Sequence, residues 1–348
     1  MRAREGDLIE TENKVIFDVK GLVHPPDKLV AFPRYIPAPK GTRQGQQGLF
    51  SKIYSFGERF SFLKQNMAEL IVQDPIFDET LCEVPTSMIR RHYKPIEKLR
   101  ILRQSTNLGD LELKALSLAQ SLKEKAGIPW NAIGISGSVL AGLYTSKSDI
   151  DPVVYGMKNC FKAYGALEEL LNEAGSRFKP CTREELRALF DFRSKDTIMD
   201  FEDFAKVESR KAFQGMYEGT DYFIRFVKDW RQVSEQYGDI CYKNSGYARI
   251  TATIAGASET IFTPCSYQIE NVEVVKGPKP EPIREIVSFR GRFCAQAKQG
   301  ENITAQGKIE RVMDQKKENV YYRILLGNKP SDYMILANSQ DNTFKTCS

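Results

Sequence analysis

Residues 133–154 read Ile-Gly-Ile-Ser-Gly-Ser-Val-Leu-Ala-Gly-Leu-Tyr-Thr-Ser-Lys-Ser-Asp-Ile-Asp-Pro-Val-Val, and the rest of the chain is organised around them. The apolar run at 132–135 predicts a short strand. Ser136, Gly137 and Ser138 predict a tight turn, followed by a helical turn or two and a second strand that opens on two aspartates. Asp149 and Asp151 stand two apart, so on an extended strand both carboxylates face one side, about 6.6 Å from each other. Their repulsion is about 2.5 kcal/mol at an effective dielectric of about 20, which a cation between them relieves. Hard oxygen donors with water in the remaining positions suit magnesium, which is commonly held by one or two carboxylates plus substrate phosphates. Gly137 lets backbone N–H groups approach a phosphate, and Ser138 adds a hydroxyl at the start of the helical turn.

The spacing Gly137-Ser138, ten residues, then Asp149-Ile150-Asp151 resembles the signature of the polymerase-β-type nucleotidyltransferase superfamily. The chain has no Gly-x-x-x-x-Gly-Lys-Ser/Thr P-loop, and Gly134-Ile135-Ser136-Gly137 does not fit the Gly-x-Ser-x-Gly elbow of hydrolases. The resemblance implies an α+β fold: a nucleotidyltransferase core with a mixed sheet and packed helices, flanked by β-rich N- and C-terminal modules. It also implies transfer of a nucleoside monophosphate from an NTP such as ATP to an acceptor, with release of pyrophosphate and two magnesium ions at the carboxylates. In that reading Asp149 and Asp151 are metal ligands, Gly137 and Ser138 position the phosphates, and Lys147 and Arg225 are further phosphate candidates.

A third carboxylate is expected on a later strand. Residues 247–256 predict a strand, and after a turn at Ala257-Ser258 residues 259–265 predict another, ending in Pro264-Cys265. The hairpin is similar to the one that carries the third metal aspartate in archaeal CCA-adding enzymes, three residues before a proline. Here that position is Ile261. Glu259 lies two residues earlier, hence on the same face of a strand, and is the candidate third carboxylate; Asp221 and Asp200 remain alternatives.

Working outward, residues 1–95 predict a β-rich N-terminal module, with strands near 8–10, 15–19, 29–35 and 49–55 and a helix at 58–70. Asp18, the one charge in Val15-Ile16-Phe17-Asp18-Val19, is expected on a wet sheet face. A core follows at 96–276, with a helix over 111–126 capped by Asp110, a second helix at 160–174 and a charged helical insertion near 182–214. Thr220 to Lys228 predicts one strand, placing Arg225 on the face shared with Asp221. After the proline-rich 278–282 linker, 277–348 predicts a second β-rich module, a small barrel or sheet with a helix near 286–298. In this order the chain resembles archaeal nucleotidyltransferase-domain proteins.

The chain's 348 residues exceed the usual size of one core, and 41% hydrophobic with 27% charged residues is ordinary for a globular protein. No apolar run of membrane-spanning length and no signal peptide is read, so the expected location is cytoplasmic, without a membrane partner. Seven scattered cysteines without a Cys-x-x-Cys pair are expected to be reduced thiols, and His24 and His92 are too few for a histidine metal cluster. The net charge of +5 is mild, but basic residues gather at 90–103, beginning with Arg90 and Arg91, and Arg290 and Arg292 alternate with Phe289 and Phe293. Both patterns suit a phosphate backbone and stacked bases, so the expected acceptor is RNA, and the likeness of the hairpin to that of CCA-adding enzymes implies a tRNA-like 3′ end. Two other readings fit the same residues: a catalytically weak RNA-binding protein on this scaffold, and a nucleotidylyltransferase acting on a protein or small molecule.

Overall fold

The computed structural model describes residues 1–194 and 199–337. Parts of two expectations, 195–198 in the helical insertion and 338–348 at the tail, lie outside the described residues. Two compact units divide the chain: Met1–Cys181 with Ala212–Tyr237, and Thr182–Lys211 with the segment from Gly238 onward. The fold is α+β, and the second unit is β-rich.

In the first unit the leading strands β1 (Leu8–Thr11), β2 (Ile16–Val19), β3 (Lys28–Pro37), β4 (Arg43–Gly45) and β5 (Gly48–Lys52) pair in the order β4-β5-β3-β2-β1. Helix α1 (Phe56–Asn66) follows, held at its start by a capping box in which Ser55 and Glu58 satisfy each other's backbone N–H groups. Strands β6 (Ile71–Asp74), β7 (Glu79–Pro85) and β8 (Ile89–Tyr93) complete the sheet, β8 on β1 and β7 on β3. Phe17, Val19, Leu29, Ala31, Leu63, Cys82 and Val84 are buried together beneath it. Each large side chain there contributes roughly 1.5–3 kcal/mol by leaving water. One irregularity in this sheet bears on the site. Ile16 pairs with Tyr35 and Phe17 with Pro33, so Arg34 is the extra residue of a β-bulge.

Asp18 corrects an expectation. All four residues of β2 are buried, and Asp18 pairs with Lys20 at 2.6 Å instead of facing water.

Helices α2 (Pro95–Gln104) and α3 (Asp110–Ala126) come next. The N-cap of α3 is Gly109 and not Asp110, with the Glu112 carboxylate accepting from the Gly109 N–H at 3.3 Å, and Gly127 ends the helix at a φ of 60°. Strand β9 (Ile133–Ile135) pairs antiparallel with β10 (Pro152–Tyr155), and the five-residue helix α4 (Gly137–Ala141) lies between them in sequence. Helix α5 (Met157–Asn172) and β11 (Phe178–Lys179) lead out of this region. Strands β12 (Gln214–Tyr217) and β13 (Thr220–Phe223) form a small sheet with β11, and β14 (Arg225–Val227) runs parallel to β10. The single strand expected at 220–228 is therefore broken at Ile224, whose N–H turns to the Phe213 carbonyl.

The second unit contains helices α6 (Arg183–Arg193) and α7 (Phe201–Glu208) and strands β15 (Ile240–Gly256), β16 (Cys265–Lys276), β17 (Ile283–Ser288), β18 (Asn302–Asp314), β19 (Asn319–Leu326) and β20 (Tyr333–Leu336). The order β15-β16-β17-β19-β18 closes on itself through β15–β18 pairing, with β17 and β19 parallel and β20 added beside β18. Closure removes exposed sheet edges.

Two expectations are corrected here. Residues 286–298 form the end of β17 and a 3-10 turn at Gly291–Phe293 instead of a helix, because Ile286, Val287 and Ser288 pair on both sides, with β16 and β19. Residues 258–261 form a turn, not a strand, so Glu259 is not held on a strand face. Among the described residues, no helix is long and apolar enough to cross a membrane, and the six cysteines are free.

Candidate functional site

The site is built on the β9–α4 turn. Ser136 donates its N–H to the Asp151 carbonyl at 2.8 Å and its hydroxyl to the Gly6 carbonyl at 2.6 Å, which locks the turn against the incoming β10. On the other side, Ile150 bonds through its N–H to Asp221 and through its carbonyl to Phe223, at 2.9 and 3.0 Å. The Asp149–Asp151 backbone is thus held extended from both edges, and the two carboxylates share one side.

Gly137 has a φ of 60°, and a Cβ placed on it meets the Asp151 Oδ2 at 1.8 Å. The Asp151 carboxylate therefore rests directly on the glycine of the Gly-Ser turn, where no side chain fits. Ser138 is buried, and its hydroxyl oxygen has no hydrogen-bond partner.

Asp151 is half-buried, and loss of hydration, followed by the charge of Asp149, pushes its carboxyl up to about 7. Lys52, Arg225 and Arg34 oppose that shift without cancelling it. The cleft beside it is lined by Leu8, Asp18, Arg34, Tyr35, Ser136, Gly137, Asp151 and Arg225, and encloses about 30 Å³. That volume accommodates a bare cation or a water or two and nothing larger.

Arg225 is committed to the protein. Its Nη1 donates to Glu5 at 3.0 Å and lies 3.9 Å from Asp18. Burial disfavours its charge, but Glu5, Asp18 and Asp151 outweigh burial and hold the guanidinium above its usual range. Asp18 shows the reverse balance: burial alone raises a carboxyl, yet Lys20, Arg225 and Arg34 keep this one well below the ordinary carboxylate range. The loop before Asp149 is tied down by Arg43, whose Nη1 donates to the Leu143 carbonyl at 2.6 Å and to the Ser148 hydroxyl at 3.3 Å.

The structure brings together Gly137, Ser138, Asp149, Asp151 and Arg225 from the sequence-derived set. Lys147 is exposed on the loop and is not among the cleft-lining residues. Arg90 and Arg91 are exposed on β8, with Arg91 over the Tyr93 ring at 4.4 Å. Glu259 and Asp200 belong to the second unit, and Asp221 lends its carbonyl, bonded to Ile150, to the first. Arg290 and Arg292 are half-buried at the 3-10 turn of the second unit, where Phe293 is core and Phe289 is exposed. Among the described residues, no group of three or more His, Cys, Asp or Glu side chains is placed to hold a metal ion. Two carboxylates, with a cation-sized cleft and mutual repulsion unrelieved, still fit one magnesium ion completed by water and substrate oxygens.

The sequence reading missed Asp18, Arg34, Tyr35 and Lys52, all from the N-terminal sheet. The only signals were a lone acid in an apolar strand and an arginine directly after Pro33 in another.

Against known proteins, the chain is 31% identical over 336 residues to the uncharacterized protein MJ1086 of Methanocaldococcus jannaschii, spanning 94% of this chain and 96% of that protein. The chain belongs to the MJ1086 family. No family model matches it. No solved structure matches it either.

Proposed function

We propose that this member of the MJ1086 family is a metal-dependent nucleotidyltransferase of the polymerase-β type, moving a nucleoside monophosphate from an NTP to an acceptor. The observation that carries the reading is the seating of the Asp151 carboxylate on Gly137 beside Asp149, which joins a phosphate-approach turn and a pair of metal donors in one place. Asp149 and Asp151 would hold magnesium, which when bound would supply a lowered pKa for the attacking hydroxyl and charge neutralisation for the departing pyrophosphate. The backbone at Gly137 and the Ser138 hydroxyl receive phosphate oxygens, and Ser136 fixes the turn against β10. Arg225, anchored by Glu5 and Asp18, keeps positive charge on the cleft wall without reaching for solvent. A second magnesium would then depend on substrate oxygens.

RNA is the acceptor favoured by the basic β8 surface and by the closed five-stranded ring of the second unit. That architecture is used elsewhere to bind oligonucleotides, an analogy of fold alone. Among the described residues no third carboxylate is clustered with Asp149 and Asp151, which supports a second reading, a weakly catalytic RNA-binding protein on the same scaffold.

Incubation with labelled NTPs, magnesium and total cellular RNA separates the two. Transfer that is lost in Asp149→Ala/Asp151→Ala supports the enzyme, whereas RNA binding without transfer supports the scaffold.

A further inference from the structure

The N-terminal sheet places two cations near the cleft, within the field of Asp149 and Asp151. Arg34, re-aimed by the β3 bulge, lines the cleft, and Lys52 is paired across the β3–β5 ladder with Tyr35. Among the described residues, neither Arg34 nor Lys52 makes an ion pair, in contrast to Arg225 and Lys20 nearby, which Glu5 and Asp18 hold. Arg34 offers one long contact, Nη1 to the Ile53 carbonyl at 3.5 Å, and both cations lie over the Tyr54 ring, at 5.3 and 4.9 Å.

The two cations also repel one another. Burial first, and Arg34 second, lower the Lys52 ammonium from its usual range, against the pull of Asp149 and Asp151. Between them Tyr35 is fully buried, lines the same cleft and has a hydroxyl with no hydrogen-bond partner. Half-buried like charges without a direct ion pair gain from an added anion in contact with them.

We propose that Arg34 and Lys52 form a clamp for the polyphosphate chain of a nucleoside triphosphate at the mouth of the cleft. The identity of the ligand rests on the nucleotidyl-transfer reading; the clamp itself rests on the sheet. Arg34 presents a fork suited to two phosphate oxygens and Lys52 a compact charge. The N-terminal sheet is then a working wall of the site, and triphosphate recognition is shared between it and the Gly137-Ser138 turn.

Inorganic tripolyphosphate, titrated calorimetrically into the full chain without metal, tests this directly. Arg34→Gln and Lys52→Gln are each expected to weaken binding roughly tenfold, the equivalent of one charge-assisted contact. Lys52→Arg should retain wild-type affinity, and Lys64→Gln, an exposed lysine on α1, should change nothing. Thermal melts guard against misfolding, since removing one of two repelling charges should leave Tm unchanged or raise it. Failure of the wild-type chain to bind tripolyphosphate, or wild-type affinity in either Gln variant, overturns the clamp. Asp151→Asn separates the two proposals: metal-free tripolyphosphate binding should survive it, so a chain that binds through Arg34 and Lys52 yet never transfers a nucleotide retains the clamp and loses the transferase.

Discussion

Replacing Gly137 with alanine isolates the contact on which the site is built. Two glycines flank α4, Gly137 at a φ of 60° and Gly142 at 68°, so an alanine at either meets left-handed strain, roughly 1–2 kcal/mol. They differ in what surrounds them. A Cβ at 142 meets nothing within 4 Å, whereas one at 137 meets Asp151 at 1.8 Å from Oδ2, 2.6 Å from Cγ and 3.0 Å from Cβ. Asp151 must then leave its rotamer, which adds roughly 0.5–1.5 kcal/mol. At about 2–4 °C per kcal/mol for a unit of this size, Gly142→Ala should lower Tm by about 2–8 °C and Gly137→Ala by a few degrees more. Calorimetric melts of both variants, alone and in an Asp151→Ala background, measure the difference. Most of the excess at 137 should vanish when the Asp151 carboxylate is gone, because residues in contact do not act additively. Equal penalties at 137 and 142, unchanged by Asp151→Ala, refute the contact.

Other expectations follow from the same framework. Arg43→Ala removes the charged donor to Leu143 and Ser148, and should cost about 1.5–3 kcal/mol in chemical denaturation while reducing nucleotide transfer through a looser Asp149. His24 accepts from the Val30 N–H and bonds the Ala3 carbonyl, and burial lowers its pKa from 6.5 to about 4. Its folded pKa lies below its unfolded value, so the stability it contributes is fully present above about pH 6.5 and is lost as pH falls toward 4, on the order of 3 kcal/mol. Urea midpoints from pH 7 to 4 should show this slope, flattened in His24→Gln. In the second unit, Arg323→Ala removes the charged donor to Glu310 Oε2 at 2.8 Å and leaves Lys308, at 3.1 Å from Oε1, to hold that buried carboxylate, and should destabilise the unit by about 1.5–3 kcal/mol.

The parts of the site legible in sequence were those set by short-range chemistry. A glycine followed by serine at a strand end, and two acids spaced to share one face, determine their own neighbourhood, and both lie at the cleft. The residues contributed by the N-terminal sheet were not legible, because Arg34 reaches the cleft through a bulge in the pairing of β2 with β3, and Lys52 comes within the field of Asp149 and Asp151 through a cross-strand register. Asp18 looked like a wet-face residue for want of its partners, since Lys20 is local but Arg225 is more than two hundred positions away. Residues 286–298 show the same limit: pairing with β16 and β19 drew Ile286 to Ser288 into a strand. Around Glu259 a local feature decided the outcome, a turn that continues past Ser258 and removes the strand face on which a third carboxylate was expected. The α+β class and the β-rich ends survived because alternating apolar strands need only neighbours of the same kind.

The most direct measurement is a comparison of α-labelled with γ-labelled ATP in the presence of magnesium and cellular RNA. The account expects the α-label in the RNA, the γ-label in released pyrophosphate, and neither product from Asp149→Ala/Asp151→Ala. Label from the γ position in the RNA, or α-label transfer undiminished in the double variant, contradicts it.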